Sequence, residues 1–305
     1  MIRRAVRKAI SVLVAAAAAA AQGARPPTPE EAADKVAAAF QANDDLALRA
    51  LSGSDDPDPW FVADELCGRG DHDAAEAFAR AAPGKDTEAL PAYVTSRRGT
   101  KDDPDARRAL AAANEALRTG KWAAALAIFD GVKATTSGVV AIRLDHGRGF
   151  ALRGLRRLDE SAAAFLRAAE AADRVGWLGG AADALDEGGE SAYSRSDYRT
   201  ALSCWERGLA IEETRPGRGG VARTLGNIGN AHLSLGHYPT ALPYFERMLE
   251  LMEESGDRAG AAAALGSLGN VHRALGSYTE ALSCNERALK IVEDLGQQGG
   301  VAIAL

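Results

Sequence analysis

VARTLGNIGNAHLSLGHYPTALPYFERMLELMEESGDRAG runs from Val221 to Gly260, and AAAALGSLGNVHRALGSYTEALSCNERALKIVEDLGQQGG follows from Ala261 to Gly300. Laid over each other without a gap, 17 of 40 positions are identical. A further step back to Ala181 gives AADALDEGGESAYSRSDYRTALSCWERGLAIEETRPGRGG, which keeps the frame G/D-Y-x-x-A-L-x-x-x-E-R-x-L. Another step, to Ala141, holds it more weakly as L-R-R-L-D-E-S-A-A-A-F-L-R-A-A. T-G-K-W-A-A-A-L-A-I-F-D from Thr119 is a further copy, and G-D-H-D-A-A-E-A-F-A-R-A-A from Gly70 is a degenerate sixth. A fixed period of this length is the mark of a stacked repeat, in which each unit buries its apolar face only against its neighbours.

Each unit reads as two antiparallel helices. In the copy from Val221, the first helix spans about Val221 to Leu235 and Gly236 ends it, because glycine enters the left-handed conformation of a helix C-terminus freely. The second runs from near Tyr238 to about Glu254, and Pro239 is tolerated in a first turn whose N–H groups lack helical acceptors. Ser277-Tyr278-Thr279-Glu280 reads as a capping box. The pairs Gly179-Gly180, Gly219-Gly220 and Gly299-Gly300 recur at the unit boundaries and are expected to form the turns. Gly229 and Gly269 are expected to face Ala241 and Ala281 across each hairpin. Tyr278, Tyr238, Tyr198 and Trp122 are the larger knobs, and Phe245, Trp205, Phe165 and Phe129 fill another shared core position. Asn285 interrupts that last series, and the sequence offers no reason for it.

Composition agrees with a helical repeat. Alanine supplies 66 of 305 residues and aromatics only 6%. Alanine is the best helix former, whereas strands favour β-branched and aromatic residues, so the fold class is all-α. The formal net charge of −6 argues against nucleic acid as a partner, since phosphate binding needs a basic face. Three cysteines, Cys67, Cys204 and Cys284, cannot build a disulfide framework. No later stretch approaches the length of a membrane span.

Residues 1–23 carry a different signal. Arg3, Arg4, Arg7 and Lys8 precede a charge-free run from Ala9 to Ala21 that ends in seven alanines. A basic start, a short apolar run and small residues before a polar break describe a secretory signal peptide, and Ala19-Ala20-Ala21 fits its cleavage pattern. The alternative is a basic amphipathic targeting helix. Export to the periplasm or exterior is the expectation; without it, the chain would be cytoplasmic. Thr28-Pro29-Glu30-Glu31 then reads as a helix start, with a helix over 28–51. Residues 57–98 read as degenerate repeat helices, 101–297 as an array of about five repeats, and 298–305 as the opening of a further, truncated one.

The unit resembles the tetratricopeptide repeat (TPR). That family's pattern of small residue, Gly, aromatic, Ala, aromatic and a last Ala is matched by Gly229, Gly236, Tyr238, Ala241 and Phe245, with Met248 in place of the last alanine. Gly269, Gly276, Tyr278, Ala281 and Ala288 match in the next unit. A period near 40 rather than 34 is similar to the longer repeats of kinesin-light-chain-like arrays. The resemblance implies a right-handed α-α superhelix whose first helices line a concave groove that takes a protein or peptide partner. The family's groove positions fall on Arg223, Gly226, Asn227, Asn230 and Ser234, then on Ala263, Gly266, Ser267, Asn270 and Arg273. Asn230 and Asn270 stand out, because a side-chain amide both donates and accepts and so can hold a peptide backbone. The other reading is an Asn that bonds its own groove neighbours. Asp183, Asp186, Glu187 and Glu190 form an acidic patch at equivalent places, and Arg143 and Arg153 a basic one.

Chemistry is not legible in the chain. His232 and His272 share a repeat position where the family carries a packing aromatic. No H-E-x-x-H or close His/Cys cluster is present for a metal. G-N-I-G-N falls inside a helix, without the strand that precedes a phosphate loop. The expectation is a non-catalytic interaction scaffold with no cofactor. The order of signal, D-P-W-F-V-A-D-E-L and repeats also looks like bacterial proteins that end in a caspase-like (CHAT) protease domain. That likeness implies the alternative of a regulatory half whose catalytic domain, itself the partner, lies beyond residue 305.

Overall fold

The computed structural model describes residues 29–41, 59–69, 71–82, 87–97, 104–132, 139–215 and 219–303. Among these, every regular element is a helix. In chain order they are α1 (Pro29–Gln41), α2 (Pro59–Arg69), α3 (His72–Ala81), α4 (Leu90–Ser96), α5 (Pro104–Arg118), α6 (Trp122–Gly131) and α7 (Val139–Gly154). They continue as α8 (Leu158–Val175), α9 (Leu178–Ser194), α10 (Tyr198–Glu212), α11 (Gly219–Ser234), α12 (Tyr238–Ser255), α13 (Arg258–Ala274) and α14 (Tyr278–Ile303). The expected signal segment and residues 42–51 of the expected first helix lie outside the described residues.

The chain divides into two compact units, residues 1–156 with 167–181 and residues 157–166 with 182–305. In the first unit, α2 packs on α1 and α3, and α6 packs between α5 and α7. Its core stacks Trp60 on Trp177 at 6.0 Å and tilts Trp60 against Tyr93 at 5.4 Å. Tyr93 donates to Asp64 at 2.5 Å and accepts the Val139 N–H at 3.1 Å, so a buried hydroxyl caps the start of α7. Burial first, then the Asp64 carboxylate, pushes the Tyr93 phenol far above its ordinary range.

In the second unit, α10, α11, α12, α13 and α14 each pack on the next. Trp205, Phe245 and Phe165 are fully buried, as their shared repeat position demands. Asp197 caps α10 by accepting the Thr200 N–H, and Asp257 caps α13 through the Gly260 N–H. Gly236 and Gly276 close the hairpins with φ of 75° and 79°. At the same place one and two repeats earlier, Ser196 and Arg156 hold φ of 67° and 62°.

Three expectations about glycine change. Gly179-Gly180 and Gly219-Gly220 are not turns but lie in the first turns of α9 and α11. They are small because neighbouring side chains press on them: a Cβ on Gly220 would collide with the Glu212 carboxylate, and one on Gly180 with the Trp177 indole. Gly299-Gly300 makes no turn either, and α14 runs unbroken for 26 residues through both. A glycine weakens a helix by only about 1 kcal/mol, which is too little to end one by itself. Nor do Gly229 and Gly269 chiefly accommodate Ala241 and Ala281. A Cβ on Gly229 would sit 2.7 Å from Cζ of Phe245, one on Gly189 would strike the Trp205 indole, and one on Gly269 would meet the Asn285 amide. Each glycine is the socket for the side chain sixteen residues on, and Asn285 is the occupant of that socket in the last hairpin.

Candidate partner-binding surface

Each first helix of the second unit buries one stripe and exposes another. On α11, Ala222, Leu225, Ile228 and Ala231 are buried, while Arg223, Asn230 and Ser234 are exposed and Asn227 is half-buried. α13 repeats the pattern, with Ala263, Asn270 and Arg273 exposed. On α9 the corresponding residues are Asp183, Glu187 and Glu190. Residues at i, i+4 and i+7 share one helix face, so three helices forty residues apart present the same positions outward. One column reads Glu190, Asn230 and Asn270, and another Asp183, Arg223 and Ala263.

The six residues singled out from the sequence fall into two groups. Arg223, Asn227 and Ser234 are tied to the preceding first helix. Arg223 donates to Oδ2 of Asp186, and Asn227 donates to Oδ1 of the same carboxylate at 3.1 Å. Ser234 Oγ shares a hydrogen bond with the Tyr193 hydroxyl at 2.9 Å. Asn230, Asn270 and Arg273 are exposed and make no side-chain hydrogen bond or ion pair among the described residues. Asn227 is therefore an amide that bonds its own groove neighbour, which the side chains of Asn230 and Asn270 do not.

Asp186 is the organising group, and its role escaped the sequence, where it is one acid among four. Its side chain is only 11% exposed, and its backbone carbonyl accepts the Trp205 indole N–H at 3.2 Å. A carboxylate out of water is tolerated when its lone pairs are all taken. The available signal was a column that reads Asp186, Gly226 and Gly266: a charge where later units have no side chain. Nearby, protein crowds Asp183 although it still touches solvent. That burial raises its carboxyl above the ordinary value, against the pull of Arg215 and with a push from Glu212. His232 stacks on Tyr244 at 5.5 Å, and burial lowers its pKa, consistent with a packing role.

No group of three or more His, Cys, Asp or Glu that could hold a metal occurs among the described residues. No helix among them is long and apolar enough to cross a membrane. Cys67 and Cys204 are buried free thiols, and Cys284 is half-buried.

Residues 180–254 and 220–294 match the tetratricopeptide repeat family model. No curated protein sequence matches the chain. Among solved structures, it is similar to a Podosopora anserina protein of kinesin light chain type with nearly identical TPR-like repeats, at 13% identity and a TM-score of 0.56, covering 64% of this chain and 99% of that one. It is also similar to a Rap protein complexed with competence and sporulation factor, at 12% identity and a TM-score of 0.51, covering 87% and 76%. A MamA structure aligns at 14% identity with a TM-score of 0.50, covering 63% and 94%. At such identities the likeness shows the fold, an all-α helical repeat.

Proposed function

We propose that the tetratricopeptide repeats of residues 180–294 make this chain a non-catalytic scaffold that binds a protein or peptide partner across the exposed faces of α9, α11 and α13. Repeats of this family generally serve protein interaction. The observation that carries the reading is the pair Asn230 and Asn270. They occupy the same repeat position, stand exposed and leave both amides unspent, while Arg223, Asn227 and Ser234 beside Asn230 are consumed in holding helix to helix. An amide on each of two successive first helices can bond alternate peptide units of an extended segment without reading its side chains. Arg273 and Glu190, on the two outer helices of this surface, supply charges for partner groups of opposite sign. The solved Rap structure is itself a complex, with competence and sporulation factor, and lends general support to partner binding by such repeats.

The test is recovery of partners on the immobilised protein, comparing the natural chain with Asn230→Ala plus Asn270→Ala. Both residues are exposed, so circular dichroism and melting should not change. Each lost hydrogen bond is worth about 0.5–1.5 kcal/mol, so the double variant should weaken binding by roughly fivefold or more. Equal affinity would sink the role given to the amides. A binding face elsewhere would then have to be sought by cross-linking.

A further inference from the structure

Four acids share one stripe of α9, and their surroundings treat them unequally. They are Asp183, Asp186, Glu187 and Glu190, spaced to fall on one helix face. Asp186 is satisfied by Arg223 and Asn227. Asp183 and Glu190 are exposed and make no side-chain hydrogen bond or ion pair among the described residues.

Asp183 is the group out of balance. The charges that act on it are those of Arg215, Glu212, Arg223 and Asp186. Those four already pair off: Arg215 donates to Glu212 at 2.7 Å, and Arg223 donates to Asp186. Two guanidiniums thus answer two carboxylates, and Asp183 is a third carboxylate with no cation of its own. Protein crowding takes away part of its water, which is the first cause of its raised carboxyl pKa. A partly dehydrated carboxylate without a counter-ion is a cost to the fold. A cation from outside would remove that cost, and the side chain is still open to receive one.

The spacing says what kind of cation fits. Asp183 and Glu190 are seven residues apart, about 10.5 Å along a helix. In an extended polyproline-II segment, residues three apart lie on one side and are separated by about 9 Å. One such segment can therefore set a cationic side chain on each acid. Guanidinium suits Asp183 better than ammonium does, because it is more weakly hydrated and offers a planar fork of donors.

We propose that Asp183 and Glu190 form a subsite for cationic side chains. The occupant is an extended segment of a partner protein that carries two arginines three residues apart, one on each acid. This rests on the reading of α9, α11 and α13 as the partner-binding face, and adds the charge and spacing of what binds there.

The probe is the capped peptide Gly-Gly-Arg-Pro-Pro-Arg-Gly-Gly, titrated into the full chain by calorimetry. It should bind one-to-one, and the same peptide with citrulline at both arginines should not bind. Asp183→Asn should weaken binding about tenfold or more, the range of a charged hydrogen bond. Glu190→Gln should weaken it about twofold to fivefold, the range of an exposed ion pair. Glu250→Gln removes the same charge from an exposed place on α12 and should change nothing. Melting of Asp183→Asn should stay level or rise, because the lost carboxylate is one that folding dehydrates. No binding, indifference to Asp183, or an equal loss from Glu250→Gln overturns the proposal. So does a lower melting temperature of Asp183→Asn, which would give the carboxylate to the fold. The amide reading fails separately. Probe binding that needs Asp183 but ignores Asn230→Ala supports the cation subsite and removes the amide from it. Partner recovery that needs Asn230 and Asn270 but survives Asp183→Asn with Glu190→Gln does the reverse.

Discussion

Replacing Gly229 by alanine should destabilise the protein, although alanine is the better helix former. In an open helix interior the change is worth about 1 kcal/mol in favour of alanine. Here the new Cβ would lie 2.7, 2.8 and 2.9 Å from three atoms of the Phe245 ring, against an optimum near 3.5–4.0 Å for carbon pairs. The ring cannot withdraw. It is 1% exposed and belongs to the same buried cluster as Leu265 and Leu268 of the next first helix. Overpacking of this kind costs about 1–3 kcal/mol, so after the propensity gain a net loss of up to about 2 kcal/mol is expected. Gly266 supplies the contrast, since a Cβ there meets nothing within 4 Å. Gly266→Ala should therefore stabilise by about 0.5–1 kcal/mol. Urea unfolding followed by far-ultraviolet circular dichroism reads both changes on one scale. Phe245→Leu, added to Gly229→Ala, should recover part of the loss by emptying the socket. If Gly229→Ala proves as stable as Gly266→Ala, the socket does not constrain the hairpin and the reasoning fails.

Two further outcomes concern charged groups. Asp186→Ala should lower stability by about 1–3 kcal/mol, because it strips Arg223 and Asn227 of their acceptor; an unchanged melting temperature would count against its organising role. His146 is held neutral, its pKa lowered from 6.5 to about 4 by burial and then by Arg153. The unfolded chain takes a proton that the folded one refuses. Stability is therefore full above pH 6.5, falls as pH drops towards 4 and levels below, by at most about 3 kcal/mol. The imidazole resonances should show the low value directly, and His146→Phe should flatten that part of the pH–stability curve.

The helices and their pairing were legible because period, alanine content and hairpin glycines all point the same way. The second helix from Tyr238 ends at Ser255, within a residue of where the sequence ends it. The glycine pairs misled, because glycine marks both a turn and a close approach, and only the neighbouring helix tells the two apart. Gly220 answers to Glu212, which is eight residues away in sequence and carries no local signature of the contact. The site was half legible for a similar reason. Helical spacing puts Arg223, Asn227, Asn230 and Ser234 on one face but cannot say which of them the preceding repeat has already engaged. That depends on Asp186 and Tyr193, some forty residues upstream, and so on how two units stack.

The hairpin corners have a consequence for how such a sequence can wander. The left-handed corner is glycine at Gly236 and Gly276, but serine at Ser196 and arginine at Arg156. A side chain in that conformation costs on the order of 1 kcal/mol. In a fold knit from every part of its chain, that penalty would have to be met by the whole. In a row of units that answer only to their neighbours, it stays where it arises, and a well-packed Trp205 or Phe165 beside it can absorb it. Each corner is thus free to lose its glycine on its own. The repeats can drift apart in sequence one hairpin at a time while the frame that joins them stays the same.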